Sequence, residues 1–259
     1  MIIILRKTAQ DAANFTARLV ADTLRDNPKS VLGLATGRTM EPVYEHLIKL
    51  HKKEKLDFSK CTTFNLDEYV GVSPENPISY RATMQRLLFD HVNVRRAATH
   101  VPDGMAKDVA KAGADYEKTI AKAGGIDVQL LGIGADGHIG FNEPLSSFTS
   151  LTREQVLTPV TFKQNAGLCD GKVPSRAMTM GVATILASRR AVMLVTGKKK
   201  AKLIAQVIEG PITAMLSATA LHFHKDCVVV LDAEAASCLK HKKYYSFVFE
   251  NSSEWARYR

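Results

Sequence analysis

Short apolar runs alternate along this chain with longer stretches in which apolar residues return every three or four positions. The opening run, 1–5, leads into Thr8-Ala9-Gln10-Asp11, a capping-box pattern, and then Phe15, Leu19 and Val20 recur at helical spacing up to the Asp26-Asn27-Pro28 stop. Residues 31–35 read as a buried strand, and a helix is expected through Tyr44, Leu47 and Leu50. The unit then repeats: 61–65 reads as a strand and 78–92 as a helix, and Val109, Ala112, Tyr116 and Ile120 stripe another helix that stops at Gly124-Gly125. Residues 128–133, 191–196 and 227–232 are three more runs of strand length. Runs apolar on both faces, alternating with helices, predict an α/β fold with an open, Rossmann-like, mostly parallel sheet and helices on both faces. No repeat, low-complexity segment or Gly/Ser linker marks a boundary, so one domain over 1–259 is expected. In such sheets ligands bind beyond the carboxyl ends of the strands, which directs attention to the segment after each run.

Composition narrows the class. The 259 residues, 46% hydrophobic and 24% charged, suit a folded chain with a sizeable core rather than a disordered or fibrous one. Against 26 Asp+Glu stand 35 Lys+Arg, a formal charge of +9 that implies an anionic partner: nucleic acid, a membrane surface or a small phosphorylated metabolite. The apolar start is too short to span a bilayer and runs into Arg6-Lys7 without the order of a signal peptide, so a cytoplasmic location is expected. Cys61, Cys169, Cys227 and Cys238 have no C-x-x-C spacing, which argues against a zinc knuckle or a disulfide framework.

Four strand ends carry candidate chemistry. After 31–35 comes Thr36-Gly37-Arg38-Thr39, a Gly-containing turn whose backbone N–H groups, hydroxyls and guanidinium suit a phosphate. Lacking both the Walker A and the G-x-G-x-x-G spacing, it serves as well for a plain βα turn. After 61–65 come Asp67-Glu68-Tyr69, where a shielded carboxylate could act as a general base or merely cap a helix. After 128–133 the Gly-rich loop brings Asp136, His138 and Glu143 within a few positions, so that one carboxylate can orient the imidazole and the other hold or relay its proton. A metal site is the competing reading, but the other His pair, His222 and His224, has partners at no standard ligand spacing and reads as structural, on one face of a strand. After 191–196 stands Gly197-Lys198-Lys199-Lys200; cations at a helix N-terminus oppose the dipole, which suggests an anion there.

Together and in this order, Leu32-Gly33-Leu34-Ala35-Thr36-Gly37, Phe64-Asn65-Leu66-Asp67-Glu68-Tyr69-Val70-Gly71, Gly132-Ile133-Gly134-Ala135-Asp136-Gly137-His138-Ile139-Gly140-Phe141-Asn142-Glu143-Pro144 and Ala177-Met178-Thr179-Met180-Gly181 resemble the glucosamine-6-phosphate deaminase (isomerase) family over nearly the whole chain. The resemblance implies reversible conversion of glucosamine 6-phosphate and water into fructose 6-phosphate and ammonia, with no cofactor and no catalytic metal. It implies His138 as the ring-opening acid/base, Asp136 and Glu143 as the groups that orient and tune it, Asp67 as the base for enolisation, and a structural Glu68. The phosphate turn departs from the family's Thr-Gly-Gly-Thr-Pro, since Arg38 replaces the second Gly and Met40 the Pro. An Arg that the family carries shortly after an Asn falls here at Gly167. Arg38 is therefore expected to substitute for it, with Lys200 the remaining cation, Thr36, Gly37 and Thr39 completing the turn, and Arg176 a second candidate.

Some members are hexamers regulated between subunits, which leaves a homo-oligomer open here; Ser146, Ser147 and Arg153 match part of that site, whereas Gln155 stands where a Lys is usual. The enzyme rivals are a galactosamine-6-phosphate deaminase, with the same catalytic groups, and a 6-phosphogluconolactonase, whose loop lacks the Glu143 counterpart. A non-catalytic sugar-phosphate binder would not need Asp67, Asp136, His138 and Glu143 together. Lys240 to Lys243 match no nucleic-acid motif, so the expected partner is a small sugar phosphate, with neither nucleic acid nor membrane.

Overall fold

The computed structural model describes residues 1–166 and 173–259. Its strands in chain order are β1 (Ile2–Arg6), β2 (Val31–Leu34), β3 (Thr62–Asn65), β4 (Asp67–Tyr69), β5 (Thr99–His100), β6 (Val128–Leu131), β7 (Arg153–Val156), β8 (Arg176–Thr179), β9 (Arg190–Val195) and β10 (Cys227–Asp232). The helices are α1 (Ala9–Asp26), α2 (Glu41–Glu54), α3 (Tyr80–Leu87), α4 (Val109–Lys122), α5 (Pro159–Asn165), α6 (Val182–Leu186), α7 (Ala201–Glu209) and α8 (Lys242–Asn251). Seven strands form one sheet in the order β1-β10-β9-β6-β2-β3-β5, and every pairing in it is parallel. Strands β2, β6 and β10 are buried throughout, which explains why their sequences are largely apolar on both faces, with Gln129 and Asp232 the polar residues among them. The capping box at Thr8 and Asp11 forms as expected and starts α1. Gly33 on β2 makes room for the neighbouring Gln129 of β6, whose Oε1 would lie 2.1 Å from a Cβ there.

The order of the strands locates the site. From β2 the chain steps outward to β3 and β5, then returns to the other side of β2 as β6 before moving on to β9 and β10. The direction of winding therefore reverses between β2 and β6, and the loops leaving their carboxyl ends diverge to leave a crevice.

A second, three-stranded sheet in the order β4-β8-β7 is antiparallel and was not expected from the sequence. It starts where the chain leaves the main sheet at Leu66, whose N–H donates to Leu34 O and whose carbonyl accepts from Met180 N. Two other expectations change. The helix expected over 78–92 ends at Leu87 and continues as a 3-10 turn, Phe89–His91. His222 lies in a 3-10 segment rather than a strand and donates from Nε2 to Val207 O, while buried His224 contacts Ser188 Oγ and accepts at Nδ1 from the Asp226 N–H. The two rings have separate structural partners. Among the described residues no helix is long and apolar enough to cross a membrane.

Candidate active site

The loops after β2, β3, β6 and β9 surround one cavity of about 540 Å³, a size suited to a small ligand. Asp67 enters it from the first residue of β4, in register with Thr179 of β8. Burial pushes its carboxyl up to about 7, the neighbouring Glu68 adds to the shift, and His138 opposes it. Gly140 lies across from it at φ 56°; a Cβ there would sit 2.9 Å from Thr179 Oγ1 and 3.8 Å from Asp67 Oδ2. The bare glycine keeps the approach to Asp67 open.

Glu68 points elsewhere. Its oxygens accept from the N–H groups of Tyr69, Tyr80 and Arg81 and from Ser79 Oγ, so it fastens the start of α3 to β4. This is the structural part expected for it.

His138 lies against Gly134, where a Cβ would come within 2.3 Å of the ring. Its Nδ1 is 2.6 Å from Asp136 Oδ1 and 3.5 Å from Glu143 Oε2. Glu143 is itself fixed by the Thr158 N–H and hydroxyl and by Thr161 Oγ1, at the first turn of α5. Burial alone would depress the imidazole, but the two carboxylates outweigh it and raise His138 to about 9. Asp136 is pushed up by burial and down by the imidazolium, which prevails and holds it at about 2. With Nδ1 committed to the carboxylates, Nε2 is the nitrogen left to exchange a proton with a ligand. Asp136, His138 and Glu143 are also the group among the described residues with the composition for a cation, their donor atoms lying within 4.8 Å of one another. Both Glu143 oxygens, however, already accept from the threonines, so the arrangement suits a shared proton.

Tyr69, Tyr80 and Phe141 form an aromatic wall, with Tyr80 and Phe141 stacked at 6.0 Å between ring centres. At the rim stand Thr36, Gly37, Arg38 and Thr39 from the turn after β2, together with Lys199 and Lys200 before α7. Gly37, at φ 125°, supplies a backbone angle that a side chain would disfavour. Lys200 is half-buried, and desolvation lowers its pKa; its Nζ donates to Ile133 O at 3.0 Å. Lys198 is exposed and does not line the cavity. Arg176 does not reach it either, because it begins β8 at the end remote from Asp67 and pairs with Glu154 of β7 at 2.8 Å. Gly167 lies outside the described residues.

Several lining residues were not singled out from the sequence: Arg86 of α3, and Gln164 and Asn165 of α5; Lys199, from the lysine run read as a place for an anion, lines the cavity beside Lys200. Tyr80, Thr83 and Leu87, three and four positions apart, give the face of α3 that lines the cavity. Among the described residues, none of Arg38, Arg86, Lys199 and Lys200 is in an ion pair. Away from the cavity, Arg153 donates to Asn142 Oδ1, Ser146 Oγ and Gln155 Oε1, so three of the four residues compared with a regulatory site bond to one another here.

A family model described as glucosamine-6-phosphate isomerases/6-phosphogluconolactonase matches residues 5–229. The chain belongs to this family. Within it, a relative from Hahella chejuensis named glucosamine-6-phosphate deaminase is 44% identical over 250 residues, 96% of this chain and 95% of its own. One of the same name from Corynebacterium kroppenstedtii is 40% identical over 260 residues, 100% of both chains. A solved structure of a monomeric glucosamine-6-phosphate deaminase superposes with a TM-score of 0.89 at 42% identity, covering 92% of this chain and 100% of the other. The 6-phosphogluconolactonase of Trypanosoma brucei superposes at 0.74 with 19% identity, over 91% of this chain and 97% of its own, a likeness of fold.

Proposed function

We propose that this chain, acting as one domain over 1–259, is a glucosamine-6-phosphate deaminase: it converts glucosamine 6-phosphate and water into fructose 6-phosphate and ammonia. The observation that carries the reading is the pairing, in one cavity, of a desolvated carboxylate with a protonated imidazole. With a pKa of about 9, His138 carries a proton at neutral pH; with one of about 7, Asp67 is ionised in useful proportion.

The steps follow from these states. His138 gives a proton from Nε2 to the ring oxygen of the pyranose and takes one from the anomeric hydroxyl, leaving the open-chain aldehyde. Asp136 and Glu143 keep the imidazolium stable and aimed, as a carboxylate behind a histidine does in general acid/base pairs. Asp67 then removes the C2 proton to give an enolamine, and return of a proton at C1 yields the C2 imine. Water adds to that imine, ammonia leaves, and the ketone of fructose 6-phosphate remains. The phosphate is held at the rim by the Thr36-Gly37-Arg38-Thr39 turn and by Lys200, with Arg38 the cation that compensates for the residue at Gly167. The test is release of ammonia from glucosamine 6-phosphate, with galactosamine 6-phosphate in parallel. Binding of the sugar phosphate without ammonia from either would refute the reading.

A further inference from the structure

Helix α5 is pinned to the catalytic loop at both ends. Its first turn meets the loop through Glu143, and its last turn through Gln164, whose Oε1 accepts the Ala135 N–H at 2.8 Å. A backbone N–H can only donate, so this contact settles which way round the Gln164 amide lies. Oε1 is committed to Ala135, and Nε2 keeps its N–H donors with no partner among the described residues, on a side chain that lines the cavity. Two positions before Ala135, the Ile133 carbonyl accepts from Lys200 Nζ at 3.0 Å. An ammonium and a fixed amide donor are thus attached to neighbouring points of one loop, and no carboxylate is in an ion pair with the ammonium among the described residues.

We infer that Gln164 donates through Nε2 to a phosphate oxygen of the bound sugar phosphate, beside Lys200, and so sets how tightly that group is held. The inference rests on the sugar-phosphate reading above and adds to it a neutral donor from α5. Fastening to the Ala135 N–H alone would need only Oε1; the amide's other half is what a phosphate can use.

Two substitutions separate fastening from binding. Gln164→Glu keeps an oxygen for the Ala135 N–H but replaces the donor with negative charge, whereas Gln164→Leu loses both. The measurements are KM for glucosamine 6-phosphate and the inhibition constant for inorganic phosphate. Both should rise roughly tenfold in Gln164→Leu, as for one lost hydrogen bond to a charged group, and further in Gln164→Glu. The change should fall on KM rather than kcat. If Gln164 only fastened α5, Gln164→Glu would match the wild type while Gln164→Leu suffered. That result, or an unchanged phosphate constant in both variants, overturns the inference. Absence of ammonia release by the wild type would count against the proposed reaction instead, and the phosphate constants would still decide the role of Gln164.

Discussion

On the floor of the cavity His138 is buried, and behind it Asp136 and Glu143 are half-buried and buried, with one imidazole nitrogen against two carboxylates and Glu143 held by Thr158 and Thr161. At the rim Arg38, Arg86 and Lys199 are exposed, and with Lys200 they form a cluster of cations that has no ion pair among the described residues. The floor has its charged groups paired and hydrogen-bonded before any ligand arrives, which fixes proton affinities in advance. The rim leaves its charge unbalanced, which favours an incoming dianion. In the proposed reaction the difference separates a region that sets the rate from one that sets affinity, and each variant below should fall on one side of that division.

The largest effect is expected at the floor. Asp67→Asn should lower kcat by roughly 10²- to 10⁴-fold, the usual contribution of a general base, with KM changed little. A comparable loss in KM instead would place Asp67 with the binding groups and dissolve the distinction. At the rim, Arg38→Ala should raise KM for the sugar phosphate about tenfold, with the loss on affinity rather than turnover. An unchanged KM would remove Arg38 from the phosphate site.

The pH profile sharpens the contrast further. Activity should rise as Asp67 ionises near pH 7 and fall as His138 loses its proton near pH 9. Glu143→Gln removes one of the carboxylates that raise His138, so the alkaline limb should move to lower pH while the acid limb stays in place. The smallest effect is on stability. Because the folded Asp67 titrates at about 7 instead of 3.8, the native state holds a proton that the unfolded chain has released, and stability falls as pH rises through that window. Asp67→Asn should therefore gain stability at pH 8, on the order of 2 kcal/mol in denaturant melts, and little at pH 4. Loss of stability at pH 8 would contradict the desolvated carboxylate.

The main sheet was legible because β2, β6, β9 and β10 are covered on both faces and their residues are apolar apart from Gln129 inside β6 and the end residues Arg190 of β9 and Asp232 of β10. The second sheet was not: β7 reads Arg153-Glu154-Gln155-Val156, with no buried residue, and its strand state comes from pairing with β8 rather than from its own pattern. His138, Asp136 and Glu143 were legible as neighbours in sequence on one loop, and Asp67 as the residue just past a strand end. The rim was harder to read. Arg176 was a second candidate for the cation that the family resemblance places at Gly167, yet the register of β8 turns it to Glu154, while Gln164 and Arg86 reach the cavity only because α5 and α3 fold across it. The excess of positive charge thus has a local meaning in a few rim cations, a property of loops brought together by the crevice between β2 and β6.

The most direct measurement of the account is the product balance from glucosamine 6-phosphate with the wild-type chain, ammonia and fructose 6-phosphate assayed together. The account predicts both in equal amounts, at a rate that climbs between pH 6 and 8 with the ionisation of Asp67, whose carboxyl titrates at about 7. Bound sugar phosphate that yields neither product would contradict it.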